Sequence, residues 1–215
     1  MALCAATRVA SVKISLEGLG KRYKKQWVFR KLALHLSAPQ KVAVLGHNGS
    51  GKSTLLRTLA GIQTPSEGRV LWEISGNPIP KENIYKHLSF CAPGIELVEE
   101  LTLAETLAFH FKFKPLQAGL YLKEIPEMLG LEKARHKPLA DFSSGMKQRV
   151  KLALTLFADT PLVLLDEPCT NLDDAGIAQY LGWVEKYCGE KLVLVASNDP
   201  REYPFCTTQL PLTVS

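Results

Sequence analysis

Residues Gly46-His47-Asn48-Gly49-Ser50-Gly51-Lys52-Ser53-Thr54 match G-x-x-x-x-G-K-[ST] at every position. Glycines at that spacing let several backbone N–H groups converge on one anion, the lysine adds a point charge, and the hydroxyl after it is a ligand for a hard divalent cation. The chemistry is a grip on a nucleoside triphosphate, with Lys52 on the β- and γ-phosphates and Ser53 on Mg²⁺. A second run, Leu162-Val163-Leu164-Leu165-Asp166-Glu167, sets two carboxylates at the end of four apolar residues. A buried strand ending there holds Asp166 beside the same Mg²⁺, and Glu167 is placed to orient or deprotonate an attacking water. In a third, Phe142-Ser143-Ser144-Gly145-Met146-Lys147-Gln148-Arg149, small residues open a helix and form a second anion-binding terminus.

The elements that must carry these residues are legible around them. Lys41–Leu45 is a short β-type run and Ser53–Ala60 a helix-compatible stretch with Leu55, Leu56 and Leu59 on one side, closed by Gly61. Further strands are expected at Ser11–Leu16 and Arg69–Glu73, the latter after the turn-like Pro65-Ser66-Glu67-Gly68. From Pro93 to about Val150 the period changes. Thr102 to Glu105 has capping-box spacing, Leu103, Leu107 and Phe111 follow at helical intervals, and a second helix is expected over Leu120–Leu129, with Pro126 in its middle and Gly130 at its stop. The third motif opens a helix that buries Met146, Val150, Leu154 and Phe157. Leu162–Leu165 and Lys191–Val195 read as strands buried on both faces. Between them lies a helix over Asp173–Cys188 with Ile177, Leu181 and Val184 inward. Alternating strands and helices predict an α/β fold with a mostly parallel sheet.

Composition fits a folded globule: 215 residues, 46% hydrophobic and 22% charged, are enough for one substantial domain. The net charge of +5 is too small a basic excess for nucleic-acid backbone neutralisation. Its densest cluster, Lys21-Arg22-Tyr23-Lys24-Lys25, reads as a solvated loop, or as attraction to triphosphate or an anionic membrane face. Cys4, Cys91, Cys169, Cys188 and Cys206 are scattered without a C-x-x-C pair, so neither a disulfide framework nor a zinc site is expected and a reducing cytosol is. Arg8 and Lys13 interrupt the apolar start, so no cleaved signal peptide is expected. No apolar run approaches the ~18 residues that span a bilayer.

With all three motifs in place, the chain from about Ser11 to Asp199 resembles the nucleotide-binding domain of ATP-binding cassette (ABC) proteins, whose signature reads LSGGQ. Phe142 stands for its Leu, Ser143 for its Ser, Ser144 and Gly145 for its glycines, and Met146 for its Gln. The resemblance implies a P-loop NTPase of ABC type. Its parallel core is joined to an N-terminal antiparallel β portion and an inserted α-helical subdomain, in one domain over 1–215 with core segments 11–92 and 150–215 and helices at about 93–149. It implies ATP and Mg²⁺ as cofactors, bound by Gly46 to Thr54 and Asp166 and completed by Ser143 to Met146 of an opposing subunit in a head-to-tail homo- or heterodimer. Tyr23 falls where the family stacks an aromatic ring on adenine, with Trp27 and Phe29 as alternatives, and Asn171-Leu172-Asp173 resembles its D-loop. Two positions depart from the pattern. Pro93 stands where the family has a Gln contacting Mg²⁺ and water, and Asn198 where it has a His on the γ-phosphate, so Glu167, Lys52 and Asn198 form the expected catalytic set with hydrolysis slowed.

The function this implies is the ATP-hydrolysing subunit of a membrane transporter, peripheral on the cytoplasmic face beside a separate transmembrane permease. Two rivals stand beside it: a nucleotide-gated interaction subunit with little turnover, and a soluble ABC ATPase outside transport. A P-loop kinase or GTPase is disfavoured, since neither explains the signature helix and no N-K-x-D-like guanine-reading motif is present.

Overall fold

In a computed structural model describing residues 11–212, the chain begins with the hairpin of β1 (Val12–Tyr23) and β2 (Gln26–Ser37). Then come β3 (Lys41–Leu45), helix α1 (Lys52–Leu59), β4 (Glu67–Ile74), β5 (Asn77–Ile79) and β6 (Leu88–Cys91). Helices α2 (Leu103–Phe113), α3 (Ile125–Met128) and α4 (Ser144–Leu156) follow, and then β7 (Leu162–Asp166), α5 (Asp174–Tyr187), β8 (Leu192–Ala196) and β9 (Thr208–Pro211). An antiparallel sheet runs β2-β1-β4-β5, and a parallel sheet runs β6-β7-β8-β3-β9. The expected architecture is present: an antiparallel N-terminal sheet, a parallel core and a helical part.

β1 shows how pattern becomes register. Val12, Ile14 and Leu16 are buried while Lys13 and Glu17 are exposed, which is a strand with one face in the core. At Gly18, φ is +57° and the pairing slips between Leu16 and Leu19, so Leu19 returns to the buried face despite the odd spacing. The parallel strands bury both faces. In β7, Leu162 and Leu164 pack with Leu55, Leu56 and Leu59 of α1 and with Val12, Ile14 and Phe29 of the antiparallel sheet. Val163 and Leu165 face Val150 of α4 and Ile177, Tyr180 and Val184 of α5. Truncating a fully buried leucine such as Leu55 or Leu164 to Ala costs about 2–5 kcal/mol, because it removes apolar contact and leaves a cavity.

Several expectations need correction. The first strand extends to Tyr23, so the Lys21–Lys25 cluster is a strand end and hairpin turn, with Lys21 Nζ donating to Thr64 O at 2.7 Å. β2, β5 and β9 were not anticipated. The helix expected over Leu120–Leu129 is only the four-residue α3: Pro126 lies in its first turn, where a missing N–H costs nothing, so the proline starts a helix instead of interrupting one. In α5, Tyr180 and Trp183 are buried beside Ile177 and Val184, whereas Leu181 is half-buried, as is Met146 in α4. The expected capping box is present: Glu105 N donates to Thr102 Oγ1 at 3.2 Å and Thr102 N to Glu105 Oε2 at 2.8 Å. Cys4 lies outside the described residues.

Candidate functional site

Parallel register brings the motifs to one edge of the sheet. Val44 of β3 pairs with Ala196 of β8, and Ala196 pairs with Asp166 of β7, so the chain leaves the sheet side by side at Gly46, Ser197 and Glu167. After Gly46 the chain wraps into α1, whose first residues are Lys52 and Ser53. Side chains are excluded from parts of this turn. Gly51 has φ +98°, and a Cβ on it would overlap the Val28 side chain; a Cβ on Gly46 would sit 2.8 Å from Leu212 O. The result is a loop of bare backbone opening a helix, which is an anion cradle.

Lys52 is buried. Its Nζ donates to Gly46 O at 2.6 Å, His47 O at 3.2 Å and Asn198 Oδ1 at 3.1 Å. Ser53 Oγ donates to Asp166 Oδ1 at 3.0 Å. Burial pushes the Asp166 carboxyl above its usual range, the Ser53 hydroxyl opposes this, and the neighbouring charge of Glu167 adds to the upward push. A buried carboxylate so disfavoured as an anion gains most from a cation. Among the described residues no cluster of three or more His, Cys, Asp or Glu side chains forms a metal site. One carboxylate and one hydroxyl is the donor set that Mg²⁺ accepts when phosphate oxygens and water fill its other positions, so these residues fit the pair of cofactors. Glu167 follows with φ +47°, unusual for a residue bearing a Cβ, and its N–H donates to Ala196 O at 2.9 Å.

A cleft of about 370 Å³ opens here, lined by Tyr23, Val28, Asn48, Gly49, Gly51, Lys52, Ser53, Thr54 and Glu167. Tyr23 is 48% exposed and its hydroxyl donates to Gln63 Oε1 at 3.0 Å. Of the alternatives for an aromatic platform, Phe29 is fully buried in the core and unavailable, and Trp27 lies against the guanidinium groups of Arg22 and Arg30, 5.5 and 4.5 Å from its centroid. His47 is exposed, its Nδ1 2.8 Å from Asn48 O, and the Ser50 hydroxyl is buried without a partner among the described residues.

The signature residues stand apart: none of the described residues lining the cleft belongs to 142–146. Ser143 caps α4, its Oγ accepting from Met146 N at 3.3 Å, and Ser143 and Ser144 are exposed. Gly145 packs so closely that a Cβ would meet Asn171 O at 2.9 Å, which ties the signature to the D-loop segment. Pro93 is exposed two residues beyond β6. Sequence reasoning missed two buried polar residues behind the site. Gln148 Nε2 donates to Pro168 O at 2.5 Å, and Glu202 Oε1 accepts from Cys169 N at 2.9 Å. Gln148 lies inside the third motif but was given no role there, and Glu202 has no motif; the signal available was a polar residue inside the α4 apolar pattern and an acid just after the turn-forming Asp199-Pro200.

A family model described as ABC transporter matches residues 29–170. The chain belongs to the ABC transporter family. It is similar to the cytochrome c biogenesis ATP-binding export protein CcmA of Agrobacterium fabrum (strain C58), 34% identical over 192 residues that cover 87% of this chain and 89% of that protein. An uncharacterized ABC transporter ATP-binding protein of Haemophilus influenzae is 34% identical over 195 residues, covering 88% and 77%. A solved ATP-binding subunit of an ABC transporter superposes with TM-score 0.80 at 26% identity over 93% of this chain and 85% of that one. A dimeric post-hydrolysis cassette bound to ADP and Pi shares the fold, with TM-score 0.79 at 23% identity over 93% and 94%. ABC ATPases as a family bind and hydrolyse ATP with Mg²⁺ and generally work as dimers with membrane-spanning permeases. In this ABC subunit no described helix is long and apolar enough to cross a membrane.

Proposed function

We propose that this chain is the ATP-binding and ATP-hydrolysing subunit of an exporter, dimerising around two ATP molecules to drive a separate membrane subunit from its cytoplasmic face. The observation that carries the reading is the row Val44, Ala196, Asp166, which gathers Lys52, Ser53, Asp166, Glu167 and Asn198 at one sheet edge. Lys52, released from the carbonyls of Gly46 and His47, holds the β- and γ-phosphates. Ser53 and Asp166 are the groups that hold Mg²⁺, which when bound neutralises charge on the phosphate oxygens. Glu167 takes the proton of the attacking water, and Asn198 donates from its amide where a His stands in the family. Tyr23 is the adenine platform, and Ser143 to Met146 close the site of the opposite subunit. Export is supported by the names of the CcmA relatives, and a component of cytochrome c maturation is the substrate class to test first.

One domain over 1–215, with its helical subdomain at about 93–149, is part of this reading. A second reading, a nucleotide-gated interaction subunit with little turnover, is favoured by Pro93 and Asn198. The experiment is steady-state MgATP turnover by the chain purified from detergent extract of its native source, with Lys52→Ala as control. Turnover above the control together with a co-purifying membrane subunit supports the exporter. A co-purifying partner with turnover at the control level selects the nucleotide-gated subunit, the lack of a membrane partner contradicts the exporter, and the lack of any partner contradicts both.

A further inference from the structure

Glu202 is a buried carboxylate that the hydrolytic chemistry does not use. It closes the short 3₁₀ turn Pro200–Glu202 after β8, only four positions beyond Asn198, and is 5% exposed. Its Oε1 accepts from Cys169 N at 2.9 Å, its backbone carbonyl accepts from the Tyr180 hydroxyl of α5 at 2.9 Å, and its Oε2 has no hydrogen-bond partner among the described residues. Apart from the Ser197 hydroxyl, which favours its charged form, the carboxyl serves a backbone N–H, and burying an acid for that is an expensive arrangement for packing alone. The partner explains it. Cys169 lies at the centre of the loop from Glu167 to Leu172, where Thr170 N and Oγ1 donate to Glu167 O at 3.3 and 2.9 Å and Leu172 N donates to Cys169 O at 3.0 Å. The adjacent Pro168 carbonyl is held from the other side by Gln148 of α4. The far end of the loop, Asn171 with φ +66°, lies against Gly145 of the signature.

We infer that Glu202 is a positioning residue: its carboxylate clamps Cys169 N–H and so fixes the turn bearing Glu167, and the D-loop beyond it, to the segment bearing Asn198. This rests on the hydrolytic reading above. Two loops that must act on one phosphoryl group leave the sheet on neighbouring strands, and parallel pairing ends at Ala196 and Asp166. Beyond that row the strands no longer hold them together, and the Glu202 clamp, with the Glu167 N to Ala196 O bond, does. The acid acts by geometry. It touches neither the P-loop lysine nor the cleft, so its loss misaligns Glu167 and leaves nucleotide affinity intact.

The test compares Glu202→Ala, which leaves the Cys169 N–H buried and unpaired, with Glu202→Gln, which keeps an acceptor oxygen in place. Glu202→Asp, which keeps the charge but draws the oxygen back, substitutes for the Ala variant if that does not fold. Steady-state MgATP kinetics, melting temperature and amide hydrogen exchange over residues 167–172 are measured on each. The expected result is a kcat about tenfold or more lower in Glu202→Ala with KM within about threefold of wild type, and a kcat in Glu202→Gln within about threefold. Exchange over 167–172 rises in Glu202→Ala alone. Unchanged kcat in Glu202→Ala, or equal loss of kcat, KM and melting temperature in both variants, overturns the clamp. If the wild type itself shows no turnover, the hydrolytic reading fails, and exchange then decides: faster exchange confined to 167–172 in Glu202→Ala supports the clamp and unchanged exchange rejects it.

Discussion

Lys52 Nζ donates to Asn198 Oδ1 at 3.1 Å across 146 residues of sequence, and Asn198 Nδ2 donates to Asn48 Oδ1 at 2.6 Å. The position just after β8 therefore reaches both the lysine and the backbone turn that receive phosphate in the proposed function. An amide there donates without ever titrating. Replacing Asn198 by His should raise turnover and add an inflection near pH ~6.5 to the pH–rate profile at saturating MgATP, since imidazole changes charge there and the amide does not. An unaltered rate and profile would mean that position 198 does not limit hydrolysis.

Ser143 is exposed at the start of α4 and outside the cleft, and in the proposed dimer it meets the phosphate bound by the opposite subunit. Ser143→Arg should abolish ATP-induced dimerisation while the monomer keeps near wild-type ATP affinity. Loss of the cap to Met146 N lowers stability by about 1 kcal/mol, too little to unfold the domain. The check is nucleotide binding by calorimetry beside light scattering. A fall in ATP affinity as severe as in Lys52→Ala would show a site built within one chain.

The motifs were legible because each is local: the P-loop, the Asp166–Glu167 pair and the Ser143 cap consist of neighbours in sequence on one strand end or helix start. The parallel strands were legible for a related reason, since burial on both faces leaves continuous apolar runs. β2 was not, because only Phe29 and Leu36 of its twelve residues are buried, and its other positions are half-buried or exposed, two of them charged. α3 misled through Pro126, whose effect depends on which turn of a helix it occupies. Phe29 misled because aromatic identity does not say which face of a strand a ring takes. The roles of Gln148 and Glu202 were invisible for a different reason: their partners are backbone groups of a loop 20 and 33 residues away, and backbone groups carry no sequence signature.

His110 of α2 is half-buried, with Nε2 unpartnered among the described residues. Burial first, then the charge of Lys114, push its pKa down to about 4, against the pull of the Leu154 backbone. The folded state therefore keeps the ring neutral where the unfolded chain protonates near ~6.5, so the unfolded state binds more protons and stability falls as pH drops through that window. The measurement is melting temperature between pH 7 and 5. His110→Gln should lose less than the wild type over that interval, and parallel losses in the two proteins would mean that the ring protonates freely when folded.

Glu167 tests the account most directly. It follows the strand that ends in Asp166, takes a positive φ, is tied through its N–H to Ala196 O and lines the cleft. Glu167→Gln keeps the size of the side chain and removes the proposed base, so steady-state MgATP turnover should fall by about 10²–10⁴, the usual contribution of a positioned proton acceptor. ATP binding should persist and an ATP-bound dimer should accumulate on size-exclusion chromatography. Turnover equal to wild type, or a variant that stays monomeric with ATP bound, would contradict hydrolysis by Glu167 in a cassette dimer.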